Sequence, residues 1–177
     1  MRFIVPSVAE LRLTIMRGAA YWRAPGRACD DDAFPPEKVL RRWLDFMVTS
    51  PAAATWFAPR LYWVEAVGAI VGTGSFKTAP DDPLGVEIGY GIAARYRGQG
   101  YATEALRLLV AEAFARCDTP HVFATVNPDN LASQRVLAKC GFIREGEALD
   151  PDDGLVWRFV LPRNGRQSRL PHAEAID

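Results

Sequence analysis

Between Ile92 and Tyr101 the chain reads Ala93-Ala94-Arg95-Tyr96-Arg97-Gly98-Gln99-Gly100. Two glycines and two arginines thus separate an alternating segment, "VEIGYGI" (86–92), from the strongest helical pattern in the chain. A helix start exposes about four N–H groups that have no partner within the helix. Together with the helix dipole, those amides attract an anion. Gly98 and Gly100 remove side chains that would keep a ligand off the backbone, and they allow the turn of an amide nest. Arg95 and Arg97 add positive charge. The chemistry favoured here is the holding of phosphate, although the same glycines also suit a tight strand–helix connection. No Gly-Lys-Ser/Thr follows, so the loop is not a P-loop, and the dinucleotide fingerprint GxGxxG is absent.

A second candidate lies on the strand itself. Val86, Ile88, Tyr90 and Ile92 fall on one face, and Glu87, Gly89 and Gly91 on the other. Glu87 is the carboxylate on that second face, a candidate for proton transfer, and the two glycines leave room beside it. The alternative is a strand glutamate on a solvated face. Further on, "NPDNLASQRVLAKCG" reads as a turn and a short helix closed by Gly141, with Asn130 as its N-cap.

These residues need elements to hold them. A weak helical pattern runs from Ser7 to about Ala19, and "RAPGRACDDDAFPP" reads as a loop. Pro36 opens a helix whose apolar stripe is Val39, Leu40, Trp43, Leu44 and Met47, and Ser50-Pro51 ends it. Strands are expected at 60–66 and 69–76 around a Val67-Gly68 hairpin turn, then at 86–92. A long helix follows the glycine loop, with Ala102, Ala105, Leu106, Leu109, Val110, Ala113 and Phe114 on one side and Pro120 after its exit. "HVFATV" (121–126) is a strand, and "FIREGE" and "LVWRFVL" form a last pair joined by "ALDPDDG".

Composition narrows the function classes. The 177 residues carry 21 Lys+Arg and 21 Asp+Glu, which gives no broad electrostatic footprint for nucleic acid or an anionic membrane. No apolar run reaches spanning length, and "MRFIVPSVAELRL" does not read as a signal peptide. Cys29, Cys117 and Cys140 are odd in number and far apart, which reads as reduced thiols in a cytoplasmic protein. Two histidines and no CxxC argue against a metal site.

The segments "VEIGYGIAARYRGQGYATEALRLLVAEAF" and "ATVNPDNLASQRVLAKCGF" resemble the GNAT N-acetyltransferase superfamily, most nearly its RimJ/RimL-like branch of N-terminal alanine acetyltransferases. The resemblance runs from Arg60 to about Leu161. It implies an α/β fold with a mixed, mostly antiparallel twisted sheet of about six to seven strands and helices on both faces. It also implies that the sheet splays between the strands at 86–92 and 121–126. One acetyltransferase domain is then expected over 1–161, with a variable helical acceptor-side region at 1–55 and the sheet and acetyl-CoA-binding core at 56–161. Residues 162–177 read as a mobile tail.

The resemblance also implies roles. Arg95, Gly98 and Gly100 fill the fixed places of the family's pyrophosphate motif. The amides of Gly98, Gln99, Gly100, Tyr101 and Ala102 would then bind the pyrophosphate of acetyl-CoA, with Arg97 adding charge nearby. The backbone of Ile92 and Ala93 would pair with the pantetheine arm, and an N–H near Ile92 would face the oxyanion. Asn130 would contact the same arm. Many relatives carry a tyrosine acid where this chain has Leu137; in the RimL-like branch a serine at the position of Ser133 is assigned that role, which makes Ser133 the catalytic candidate, with a helix serine bonded to backbone as the alternative. The implied activity is transfer of acetyl from acetyl-CoA to a primary amine, for which Glu87 is the candidate base. The acceptor would be a protein N-terminus or a small-molecule amine, and a non-catalytic acyl-CoA-binding module is the competing class. A monomer or homodimer is expected. Trp22, Trp43, Trp56, Tyr62 and Trp63 read mostly as core, and Asp30, Asp31 and Asp32 as a solvated loop.

Overall fold

The computed structural model describes residues 1–151 and 153–163. Its strands are β1 (Arg2–Ile4), β2 (Ala28–Cys29), β3 (Arg60–Val64), β4 (Ala69–Phe76), β5 (Val86–Ile92), β6 (His121–Val126), β7 (Ile143–Asp150) and β8 (Gly154–Pro162). Its helices are α1 (Val8–Arg17), α2 (Glu37–Thr49), α3 (Ala54–Phe57), α4 (Tyr101–Arg116) and α5 (Leu131–Lys139). The sheet runs β1-β3-β4-β5-β6-β8-β7, with β2 added parallel to part of β4. All neighbours are antiparallel except β2–β4 and β5–β6.

The sheet therefore holds eight strands where six to seven were expected. The additions are β1 and β2, the latter inside a segment read as loop. Three residues and two residues carry no period of their own. Their pairing depends on distant partners, Arg2 opposite Trp63 and Ala28 opposite Ala69. The hairpin after β3 is also longer than a two-residue turn. A 3-10 turn at Glu65–Val67 precedes Gly68, whose φ of 58° is left-handed. The last hairpin is tighter than expected, because Ala148–Asp150 belong to β7. Pro162 closes β8, and the Arg163 guanidinium donates to the carbonyls of Phe114 and Thr119, both at 2.9 Å. The rest of the expected tail, 164–177, lies outside the described residues.

Local chemistry explains the helices. Ser7 and Glu10 form a reciprocal capping box on α1. α2 buries Leu40, Trp43 and Met47, which pack with Leu11 of α1 in a satellite cluster. The main core lies around β3 and β4, every residue of which is buried. Helices cover β4 on both faces. Trp43 of α2 donates its Nε1–H to Ser75 Oγ over 2.9 Å on one side. On the other side Leu109 of α4 packs where Gly74 has no side chain, and a Cβ there would lie 1.9 Å from the Tyr62 hydroxyl. Arg60 is fully buried under α4, paired with Glu112 and stacked on Phe76.

Candidate active site

β5 and β6 pair in parallel at Val86–Val122 and Glu87–Phe123 and then diverge. Beyond that point β5 remains paired to β4, through Phe76–Ile88 as far as Gly72–Ile92. Antiparallel pairing uses alternate residues of a strand. The Lys77 N–H donates to Glu87 O at 2.8 Å and the Ala93 N–H to Val71 O at 2.9 Å, so the odd-numbered residues of β5 serve β4. The main-chain groups of Ile88, Tyr90 and Ile92 consequently turn toward the split.

At the end of β5 the chain makes a 3-10 turn (Ala94–Tyr96) and enters the glycine loop. Gly98 and Gly100 have φ of 75° and 89°, conformations that exclude most side chains. A Cβ at either position would meet no atom within 4 Å, so the space over the loop is open. Gly100 caps α4 without a side-chain hydrogen bond, leaving the first-turn amides of Tyr101 and Ala102 facing outward. One long-range bond and one local bond hold the loop: Ala94 N–H donates to Asp32 Oδ2 at 2.8 Å and Arg97 Nε to Ile92 O at 2.9 Å. Gln99 Nε2 donates to Arg95 O, and the Arg95 guanidinium lies over the Tyr96 ring. Arg97 is thus folded back along β5. Ala93 also has both main-chain groups engaged, since its carbonyl accepts from Tyr96 N–H.

On the face of β4 and β5 turned toward α2 lies a cavity of about 870 Å³. Glu87, Gly89 and Gly91 line it as the alternation predicts, with Trp43, Phe46 and Phe34 as an apolar wall. Glu87 is ion-paired with Lys77 and accepts a 2.8 Å hydrogen bond from Thr125 Oγ1 on the far strand. Among the described residues the lining has four carboxylates, of Asp32, Glu87, Asp150 and Asp153. Four basic side chains, of Lys38, Arg42, Lys77 and Arg97, balance them. Trp22, Trp56, Tyr62 and Trp63 are core residues, and of the five aromatics weighed in the sequence Trp43 alone lines this cavity. Asp31 pairs with Arg23, while Asp32 ties the N-terminal region to the glycine loop, a role that no local pattern marks.

Behind the split, Asn130 caps α5 by accepting Ser133 N–H at 3.0 Å. Ser133 Oγ lies 2.9 Å from the Tyr90 hydroxyl. Burial, partly offset by that bond, pushes the Tyr90 phenol up to about 12. Leu137 is wholly buried. Tyr90, Lys77 and Thr125 were not singled out in the sequence. Only Tyr90 carried a signal: a hydroxyl on an otherwise aliphatic strand face needs a partner.

Taken together, the site has bare amides suited to a diphosphate, a β-strand edge suited to an amide-bearing arm, and a cavity that meets that edge from the opposite face. Among the described residues no group of three His, Cys, Asp or Glu side chains converges as for a metal, and no helix is long and apolar enough to cross a membrane.

The model of the acetyltransferase (GNAT) domain matches residues 10–143. A relative named "Probable N-acetyltransferase YjcK", from Bacillus subtilis (strain 168), is 46% identical over 61 residues. The match spans only about a third of either protein, 34% of each. Ribosomal-protein-S5-alanine acetyltransferase from Vibrio fischeri superposes with a TM-score of 0.63 at 16% identity, covering 92% of both chains. Aminoglycoside acetyltransferase AAC(6')-Ib in complex with coenzyme A does so at 0.62 and 18% identity, covering 93% of this chain and 95% of the other.

Proposed function

This chain belongs to the acetyltransferase (GNAT) family, and from that premise we propose that it transfers an acetyl group from acetyl-CoA to a primary amine by direct attack in a ternary complex. The observation that carries this is the split beside the nest: amides at the start of α4 and a β5 edge turned away from β4, in one continuous surface. The nest amides of Gly98, Gln99, Gly100, Tyr101 and Ala102 hold the pyrophosphate, with Arg95 nearby. The pantetheine arm runs along the β5 edge. Because Ala93 has both main-chain groups engaged and the Ile92 carbonyl accepts from Arg97, the main chain of Tyr90 provides that edge, and the Ile92 N–H faces the oxyanion. Asn130, beyond capping α5, borders the arm from the β6 side.

The amine enters from the α2-side cavity and meets the acyl carbon near Glu87 and Gly89. An α-amine with pKa near ~7.8 costs about 1 kcal/mol to neutralise at pH 7, against about 4.6 kcal/mol for a lysine at ~10.4. Glu87, already bonded to Lys77 and Thr125, receives the proton that the nitrogen loses, directly or through a water. The cavity's balanced charge favours an acceptor with little net positive charge, such as a peptide N-terminus, over a polycation. Three cysteines without disulfide partners fit a cytoplasmic setting.

Release of free thiol from acetyl-CoA, with products weighed by mass spectrometry, tests this reading. Peptides of varied first residue are expected to be acetylated on the α-amine faster than spermidine or an aminoglycoside. Coenzyme A binding with no amine-dependent thiol release at any pH up to about 9, where α-amines are neutral, would instead identify a binding module.

A further inference from the structure

Tyr90 stands on a strand face whose other members are Val86, Ile88 and Ile92. Its ring reaches from β5 to the first turn of α5, so its hydroxyl lies 2.9 Å from Ser133 Oγ and 3.4 Å from the Ser133 carbonyl oxygen. The two hydroxyls come from opposite walls of the split, because α5 follows β6 directly in the chain. Leu137 is wholly buried and offers no proton.

The thiolate that leaves in acetyl transfer needs a donor at sulfur. A helix serine alone tends to spend its proton on nearby backbone. A phenol is the stronger donor of two hydroxyls. When Tyr90 donates to Ser133 Oγ, the Ser133 proton is free to turn elsewhere, and each bond in such a chain strengthens the next.

Resting on the acetyl-transfer reading above, we propose that Tyr90 is a positioning residue for the leaving group: its O–H donates to Ser133 Oγ and thereby turns the Ser133 O–H onto the sulfur as the carbon–sulfur bond breaks. The electron pair of that bond goes to sulfur. The amine nitrogen forms the new bond to carbon and loses one proton to Glu87 or water. The thiolate takes its proton from solvent after release. Tyr90 keeps its own proton, since a phenol pushed up to about 12 lies well above an alkyl thiol near ~8.5. The hydroxyl pair therefore supplies a hydrogen bond and not an acid.

Steady-state thiol release from acetyl-CoA, with a fixed mixture of short peptides of varied first residue, tests this in wild type, Tyr90→Phe, Ser133→Ala and the double variant. Tyr90→Phe is expected to lower kcat about tenfold and to leave KM for acetyl-CoA within about twofold. Ser133→Ala should lose at least as much, and adding Tyr90→Phe to it should cost nothing more. Ser133→Thr, which keeps a hydroxyl, should recover part of the loss. Full kcat in Tyr90→Phe, or an equal further loss on the Ser133→Ala background, overturns the role of Tyr90 and leaves the activity standing. If Tyr90→Phe does not fold, full kcat in Ser133→Ala overturns it equally. A wild type that binds coenzyme A and releases no thiol overturns both.

Discussion

Thr125 Oγ1 donates to Glu87 Oε1 over 2.8 Å, across the two strands and just past the last main-chain pair between them. The carboxylate therefore sits in the mouth of the split. Lys77, the residue that follows β4 on Glu87's other side, completes its surroundings.

Glu87→Gln keeps an oxygen for Thr125 and removes the charge facing Lys77. If Glu87 takes the amine's proton, kcat/KM falls about tenfold at pH 7, and the deficit shrinks toward pH 9 as an α-amine of pKa ~7.8 becomes neutral unaided. A pH–rate profile with a peptide acceptor checks this. A loss of equal size at every pH would assign Glu87 to holding the split and not to proton transfer.

Gly98 and Gly100 separate backbone strain from ligand contact. Gly100→Ala forces an L-residue into a left-handed conformation, at about 1–2 kcal/mol of stability. The space above it is open to the ligand, so a methyl there should weaken stabilisation by coenzyme A without removing it. Gly98→Glu or Gly100→Glu puts negative charge over the amides and should abolish that stabilisation. Thermal unfolding with and without coenzyme A distinguishes the two; a retained shift in the glutamate variants would contradict the nest.

Asp32 acts on the same loop from 62 residues away, through the Ala94 N–H. Asp32→Ala leaves that donor without its carboxylate and should weaken coenzyme A binding by about three- to tenfold, the worth of one hydrogen bond. Asp32→Asn, which retains an accepting oxygen, should restore most of it. Calorimetric titration is the measurement.

Glu112 governs acid stability. Burial alone would raise its carboxyl, but its bonds to Arg60 and Arg116 outweigh that and hold it below the ordinary glutamate range. A depressed folded-state value stabilises fully above the unfolded value, and the contribution disappears as pH falls through the folded one. Glu112→Gln should therefore cost about 2 kcal/mol at pH 7, because it strands the buried Arg60 charge, and the two proteins should converge as pH falls past the ordinary glutamate range and through the lowered folded-state value. Chemical denaturation across pH 3–7 reads this out.

Much of this was legible locally. The alternation in "VEIGYGI" placed Glu87, Gly89 and Gly91 on the cavity face, and the glycines marked an α4 start without a side-chain cap. Those features depend on residues within one or two turns of each other. What escaped depends on register between distant segments. β1 and β2 exist only against β3 and β4. Asp32 meets Ala94, and Tyr90 meets Ser133 across 43 residues, contacts that no local period encodes. The resemblance makes Ala93 part of the open edge, yet its N–H belongs to Val71 because pairing with β4 selects odd-numbered residues.

Titration of ¹⁵N-labelled protein with coenzyme A, followed amide by amide, bears most directly on the central claim that the nest and the split form one binding surface. The account predicts the largest shifts at Gly98, Gln99, Gly100, Tyr101 and Ala102, continuing to Ile92 and Tyr90 on β5. Shifts clustered elsewhere, for instance around Arg23 and Arg27, with β5 and the start of α4 unmoved, would contradict it.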